Sequence, residues 1–185
     1  MVSDLSPFFQ SIMQLKSVRR AGWVSKVKIK DAESVADHTF STCAVAMLLS
    51  DILGHNTQRV MKMVILHDLA ESIVGDYIPG EISTSQKLAK EKMAMKSILS
   101  DLPRKVKTEY EEIWSEYLKN RTEASRFVHR VDKLEMALQA NQYKKQGYTN
   151  KLLAPFFNYA RSTVGDEGDI VSDILNSLKP RSLKS

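Results

Sequence analysis

Apolar residues recur at intervals of three and four along almost the whole of this 185-residue chain, and they alternate in only one short run. That spacing is the imprint of amphipathic α-helices. Phe8, Phe9, Ile12, Met13 and Leu15 follow Ser6 and Pro7, which predicts a first helix with Ser6 as N-cap and Pro7 at its first position. Val35, His38, Thr42, Val45 and Leu49 share one face of a second helix, from Ser34 to near Gly54. Met61, Val64, Ile65, Leu66 and Ala70 mark a third, running from Thr57 to Val74 with Gly75 as its stop. Lys26-Val-Lys-Ile-Lys30 alternates but has no second strand to pair with, so the connector 19–33 is expected as an extended loop. Asp76 to Gly80 reads as a loop, and further helices are expected near 84–100, 103–119, 122–147, 152–163 and 167–178. A basic tail, 179–185, is expected to fray. The expectation is all-α: seven or eight helices in a compact single domain spanning 1–185.

Composition narrows the function. The single cysteine, Cys43, excludes an internal disulfide framework and a cysteine-based zinc site. The longest mainly apolar stretch, Cys43–Leu49, is far short of the ~20 residues a membrane span needs. Met1 to Leu5 lacks the basic start and apolar core of a signal peptide, so a cytoplasmic protein is expected. A net charge of +5 is a mild bias toward anionic partners. Such a partner could be nucleic acid, a nucleotide or any phosphate compound; the basic residues are dispersed and not interleaved with aromatics, which counts against a nucleic-acid-binding module.

Four histidines exist: His38, His55, His67 and His129. His38 lies on an apolar helix stripe, and His67 follows the apolar run Met63–Leu66 and precedes Asp68. A carboxylate in a buried helix needs a cation, and a metal ion with neutral imidazoles beside it is one such partner. Asp132, one turn from both Val128 and Met136, is a second candidate carboxylate, with a salt bridge to Arg130, Lys133 or a neighbouring helix as its alternative. His38, His67, Asp68 and Asp132 together offer two nitrogens and two oxygens from three helices, a set suited to a borderline divalent ion and poor for calcium. Four protein ligands close a tetrahedral zinc site, so catalysis asks for an ion that expands its coordination. Co, Mn or Ni fits that better than Zn or Mg, and a closed zinc staple is the structural alternative. His55 reads as exposed, and His129 as a support to the site or a spare ligand.

An isolated His, then His-Asp, then a distant Asp is the signature of the HD metal-dependent phosphohydrolases. Arg20-Ala-Gly-Trp23, Glu33-Ser-Val-Ala-Asp-His38, His67-Asp-Leu-Ala-Glu71, Gly75-Asp76 and Phe127-Val-His-Arg-Val-Asp132-Lys-Leu-Glu extend the match over about 8–148, in the order of the HD-domain 5′-deoxynucleotidases. The match fades beyond Gly147, leaving 152–178 as a helical C-terminal extension. The resemblance implies a compact HD fold, commonly a homodimer, that hydrolyses deoxynucleoside 5′-monophosphates to nucleoside and phosphate. By position it implies His38, His67, Asp68 and Asp132 as metal ligands, Glu71 and Asp76 as catalytic acids, and Arg20 as the phosphate arginine. Trp23 matches a tryptophan in the loop that faces the sugar. Arginine and tryptophan are adjacent in the bacterial members, whereas Ala21 and Gly22 separate them here, as in the eukaryotic-like members.

Beside the resemblance, the spacing of four residues predicts that His67 and Glu71 project from one helix face. Asp76 either serves the reaction or caps the next turn, and Lys26, Lys28 and Lys30 either assist the phosphate or are solvated. The alternatives are an HD hydrolase acting on triphosphates, pyrophosphates or cyclic nucleotides, or a non-catalytic, metal-bound nucleic-acid module.

Overall fold

The computed structural model describes residues 4–178, so the tail expected to fray lies outside the described residues. Among them the chain forms nine α-helices, α1 (Ser6–Leu15), α2 (Val35–Leu53), α3 (Thr57–His67), α4 (Glu71–Val74), α5 (Thr84–Ile98), α6 (Arg104–Lys119), α7 (Glu123–Lys145), α8 (Asn150–Val164) and α9 (Ile170–Ser177), with no strand of any length. The all-α expectation holds; the count exceeds seven or eight because one predicted helix is broken in two.

The long α7 is the axis. Phe127, Val128, Val131, Leu134, Ala137 and Ala140 are buried along it, and α2, α3, α6, α8 and α9 pack around it. Its start is set by Thr122, whose hydroxyl accepts the Ser125 N–H. Likewise Ser34 accepts the Asp37 N–H while the Asp37 carboxylate accepts the Ser34 N–H, a reciprocal cap that fixes the first turn of α2. Gly54 closes α2 in the left-handed region, with φ +74°. α1 starts one residue earlier than expected: Leu5 is the cap position, and Asp4 accepts the Ser6 N–H.

Two larger corrections both bear on the site. The connector is not an extended loop. Arg19 pairs with Ser34 in one antiparallel bridge, and Trp23–Val27 winds into a π-helical turn that ends at Lys28, φ +64°. Val27 and Ile29 alternate because both are buried while Lys28 and Lys30 are exposed, with no sheet involved. The predicted helix 57–74 breaks after His67. Asp68, with φ −107° and ψ 9°, leaves helical geometry, and Leu69, Glu71 and Ser72 donate to carbonyls three residues back, not four. Glu71 therefore opens a new turn, α4, and does not share a helix with His67.

Arg130 of α7 fastens the C-terminal helices. Its guanidinium donates to both Asp169 oxygens, at 2.6 and 2.8 Å, and its Nε donates to the Val164 carbonyl at 2.9 Å. Asp169 is also the N-cap of α9. The extension beyond Gly147 is thereby docked on the helix that carries Asp132.

Candidate metal centre

Three helices deliver the four ligand candidates to one place. His38 lies in the first turn of α2, His67 is the last residue of α3 with Asp68 next, and Asp132 sits mid-way along α7. His38 Nε2 is 3.2 Å from Asp132 Oδ1 and 3.8 Å from Asp68 Oδ2, and His67 Nε2 is 3.1 Å from Asp68 Oδ2. The other ring nitrogens are committed elsewhere. His67 Nδ1 faces the Val64 carbonyl at 2.5 Å and His38 Nδ1 faces Glu135 Oε2 at 2.6 Å. Those partners place the Nδ1 protons outward and aim both Nε2 lone pairs inward.

The inward atoms are the ones without hydrogen-bond partners. His38 Nε2, His67 Nε2 and Asp132 Oδ1 are buried and unpaired despite their short mutual distances, because the contacts lack hydrogen-bond geometry. Buried polar atoms converging without partners are costly unless a cation joins them. His38, His67 and Asp132 lie close enough to share one ion, and Asp68 is within reach of both imidazoles. The donor set fits a divalent metal.

The titration pattern says the same. Burial and Arg20 oppose charge on His38, yet Asp132 and Glu135 outweigh them and push it up to about 9. Burial would raise Asp68, but His67, Arg20 and His38 hold it below the usual carboxylate range. Asp132 is likewise depressed against its burial, chiefly by Lys133, whose Nζ donates to Asp132 Oδ2 at 2.8 Å. The pocket stabilises positive charge.

A cavity of about 520 Å³ opens over this cluster. Arg20 lines it, its Nη1 3.4 Å from Asp68 Oδ2. Glu71 lines it from α4, almost fully buried, with Oε2 unpartnered and Oε1 3.5 Å from Lys87 Nζ. Burial, reinforced by Asp68 and Asp76, raises the Glu71 carboxyl well above its ordinary value. Asp76 also lines the cavity, and its Oδ2 accepts the Ala21 N–H at 2.7 Å. It caps the turn that follows Arg20, which neither expectation for this residue named. Lys26 reaches the cavity wall; Lys28 and Lys30 do not line it.

Trp23 is placed differently from the expectation. It belongs to the π-helical turn, not a loop, and is 1% exposed. Its indole Nε1–H donates to Glu33 Oε1 at 2.7 Å, and its ring stacks on Phe156 of α8 at 4.0 Å. His55 is not exposed either; it packs on Phe127, ring centroids 4.5 Å apart, beside Glu123. His129 stacks on Tyr117, which contacts His67 edge-on, so it supports the site from one residue away.

Several site residues were not singled out from the sequence. Glu135 holds His38 by its outer nitrogen, and its signal is the spacing of three from Asp132 on one helix face. Glu33 lies beside the same nitrogen; burial and the neighbouring Glu135 push its carboxyl up to about 7. Lys87, Phe156 and Tyr159 line the cavity from α5 and α8, and no local pattern marks them; Lys133, expected as one possible salt-bridge partner of Asp132, forms that bridge and lines the cavity from α7.

A family model described as HD domain matches residues 12–166. The chain belongs to the HD domain family. The HD match reaches past Gly147 into α8 and ends at residue 166. The HD chain is 37% identical over 163 residues to the 5′-deoxynucleotidase HDDC2 of Xenopus laevis, covering 88% of this chain and 79% of that one. It is 35% identical to the Homo sapiens 5′-deoxynucleotidase HDDC2, over 88% of this chain and 78% of the relative. Among solved structures, the PH0347 protein from Pyrococcus horikoshii OT3 superposes with a TM-score of 0.78 at 29% identity, over 92% of this chain and 96% of that one. A predicted metal-dependent phosphohydrolase from Magnetospirillum magnetotacticum shares the fold, with a TM-score of 0.70 at 22% identity over 95% and 91% of the two chains.

Proposed function

We propose that this HD protein is a divalent-metal-dependent 5′-deoxynucleotidase, converting deoxynucleoside 5′-monophosphates to deoxynucleosides and phosphate. The observation that carries the reading is the convergence of unpaired His38, His67 and Asp132 atoms, with Asp68 beside them, next to a cavity lined by Asp68, Asp132 and Arg20. The relatives named 5′-deoxynucleotidase support the substrate class.

Charge favours a monoester. Asp68, Glu71, Asp76 and Asp132 balance Arg20, Lys26, Lys87 and Lys133 along the cavity wall, so a divalent ion leaves about two positive charges in excess. A phosphomonoester near neutral pH carries close to two negative charges and matches that excess. A nucleoside triphosphate carries roughly twice as many and overfills it.

His38, His67, Asp68 and Asp132 hold the ion, with Co, Mn or Ni preferred because each accepts open positions beyond four ligands. When bound, a divalent ion polarises a phosphoryl oxygen and lowers the pKa of water. Arg20 binds equatorial phosphate oxygens through its planar fork. Water attacks phosphorus opposite the 5′-oxygen, the new P–O bond forms as the P–O5′ bond breaks, and the electron pair leaves with O5′. Glu71 and Asp76, the two carboxyl groups that line the cavity beside Arg20, share positioning of the attacking water and transfer of its proton to the leaving O5′.

The partner of the fold is a second copy of this chain. Phe40, 76% exposed, with Met47, Leu48 and Ile52, forms an apolar stripe on the solvent side of α2, bordered near its end by the exposed Asp51, the kind of surface a homodimer buries. No helix among the described residues is long and apolar enough to cross a membrane.

Protein stripped with chelator and reloaded with Mn or Co is expected to release phosphate from deoxynucleoside monophosphates, and Asp68→Ala to lose at least 100-fold in kcat/KM, roughly 2.7 kcal/mol. Full metal-dependent activity in Asp68→Ala would refute the site.

A further inference from the structure

The cavity has two chemically distinct walls. Arg20, Asp68, Glu71, Asp76, Lys87 and Asp132 make one of them charged. The other runs through Gly22, Trp23, Pro155 and Phe156, beginning two residues after Arg20. No side chain of this second wall has a hydrogen-bonding group to offer, since the Trp23 Nε1–H is engaged by Glu33 and the other three have none.

Phe156, half-buried, is the ring of that wall that stacks on Trp23. Its ring lies nearly parallel to Trp23, with an interplanar angle of 23°, and Trp23 is itself fixed by Glu33 and by the edge of Tyr143. Gly22 makes room for the ring. A Cβ at Gly22 would fall 3.2 Å from Phe156 Cε1, although the Gly22 backbone is ordinary helix with φ −58°. Gly22 is thus needed for the close approach of the ring, not for an unusual backbone angle. The two-residue spacer between Arg20 and Trp23 carries the tryptophan under Phe156, so the aromatic surface a ligand meets belongs chiefly to α8.

We infer that Phe156 is the specificity-determining residue that selects deoxyribose over ribose, by packing its half-buried ring against the sugar beside the phosphate site. The inference rests on the deoxynucleotidase reading above and names the part of the site that reads the sugar. A phosphate held at Arg20 brings its first substituent, the sugar, to the wall that starts at Gly22. An apolar C2′ packs there without loss. A 2′-hydroxyl placed against the rings of Phe156 and Pro155 gives up water and finds no side-chain donor or acceptor on either, and a buried hydroxyl without a partner is disfavoured. Trp23 acts as the backing of the ring: buried, with its only polar atom already engaged, it positions Phe156 and leaves the contact with the sugar to it.

The test is the ratio of kcat/KM for dAMP to that for AMP, measured on Mn-loaded full-length protein, wild type and three variants. Both substrates carry the same base, and the ratio does not depend on the fraction of protein folded. Phe156→Ala opens the wall to water, and its ratio is expected to fall about tenfold, equivalent to about 1.4 kcal/mol. Phe156→His keeps a flat ring on Trp23 and offers a ring nitrogen to the hydroxyl, and its ratio is expected to fall as well. Trp23→Phe keeps the backing ring, and its ratio stays within threefold of wild type. A wild-type ratio near one, an unchanged ratio in both Phe156 variants, or a collapse of the ratio in Trp23→Phe alone would overturn the inference while leaving the nucleotidase reading in place. Wild-type protein that releases phosphate from neither nucleotide would overturn both.

Discussion

Replacing Asp169 with Asn isolates the clamp that holds α9 and the end of α8 against α7. Asparagine is as good an N-cap as aspartate, so the bond from the Ser172 N–H, 3.0 Å in the native protein, is retained. What is lost is the carboxylate charge and the bond from Arg130 Nη1 to Oδ2, while Oδ1 keeps its bonds from Ser172 and from Arg130 Nη2; the Arg130 side chain is only 11% exposed, and Glu167 remains 3.0 Å from its Nη1. Hydrogen bonds to charged groups contribute about 1.5–3 kcal/mol. Asp169 is partly open to solvent, which places the expected loss at the lower end, about 1.5 kcal/mol. For a chain of this length that corresponds to a fall in Tm of about 3–6 °C at pH 7. The pH dependence has a definite sign. Hydrogen bonds from Arg130 hold the Asp169 carboxyl well below the usual range, against its burial. Its stabilisation is therefore complete above the ordinary aspartate value and disappears as pH falls through the depressed folded-state value. Calorimetric scans of both proteins should show a gap that is full at pH 7 and narrows below about pH 4. A variant that melts within 1 °C of wild type at pH 7, or a gap that widens in acid, would refute the reasoning.

Two further outcomes follow from the site and the surface. Glu135→Ala leaves the buried His38 Nδ1 without its acceptor, and Mn affinity measured by chelator competition is expected to drop about 10- to 100-fold; wild-type affinity in that variant would remove Glu135 from the orienting role. Charging the apolar stripe of α2 with Phe40→Glu and Leu48→Glu is expected to convert a dimer to a monomer in sedimentation while leaving the helical circular dichroism intact; an unchanged sedimentation coefficient would place the partner surface elsewhere.

The parts of this fold legible in the sequence are those that local chemistry decides. Ser34, Thr122 and Asp169 cap helices within a residue or two of where composition places the boundaries, and Gly54 ends α2. His38, Asp68 and Asp132 stand out because ionisable groups on apolar faces demand partners. The break after His67 was not legible. It has neither glycine nor proline, and Ala70 and Val74 continue the apolar period of α3 as if the helix ran on. Contacts from elsewhere make it: Asp68 is drawn to Arg20, 48 residues away, and to His38 on α2. Phe156 was hidden for the opposite reason. An apolar residue on an amphipathic helix looks the same whether it faces the core or a cavity, and only the approach of Gly22 and Trp23 from the other end of the chain separates the two.

The break also explains why the site residues cluster as they do along the chain. Of Arg20, His38, His67, Asp68, Glu71 and Asp132, all but the last lie at helix ends: Arg20 just before the π-helical turn, His38 in the first turn of α2, His67 and Asp68 where α3 stops, Glu71 where α4 starts. A helix interior fixes the direction of every side chain through its regular backbone, whereas a terminus allows φ and ψ to be set for one residue, as at Asp68. Asp132 is the exception, and it sits on α7, the helix the others pack around. One candidate ligand is thus held on the central helix, and the others come from the ends of the surrounding helices. Short motifs separated by long featureless helices are the sequence signature of that arrangement. Substitutions that tighten or extend the turn at 68–70 should therefore disturb the metal cluster more than equal changes in the middle of α3.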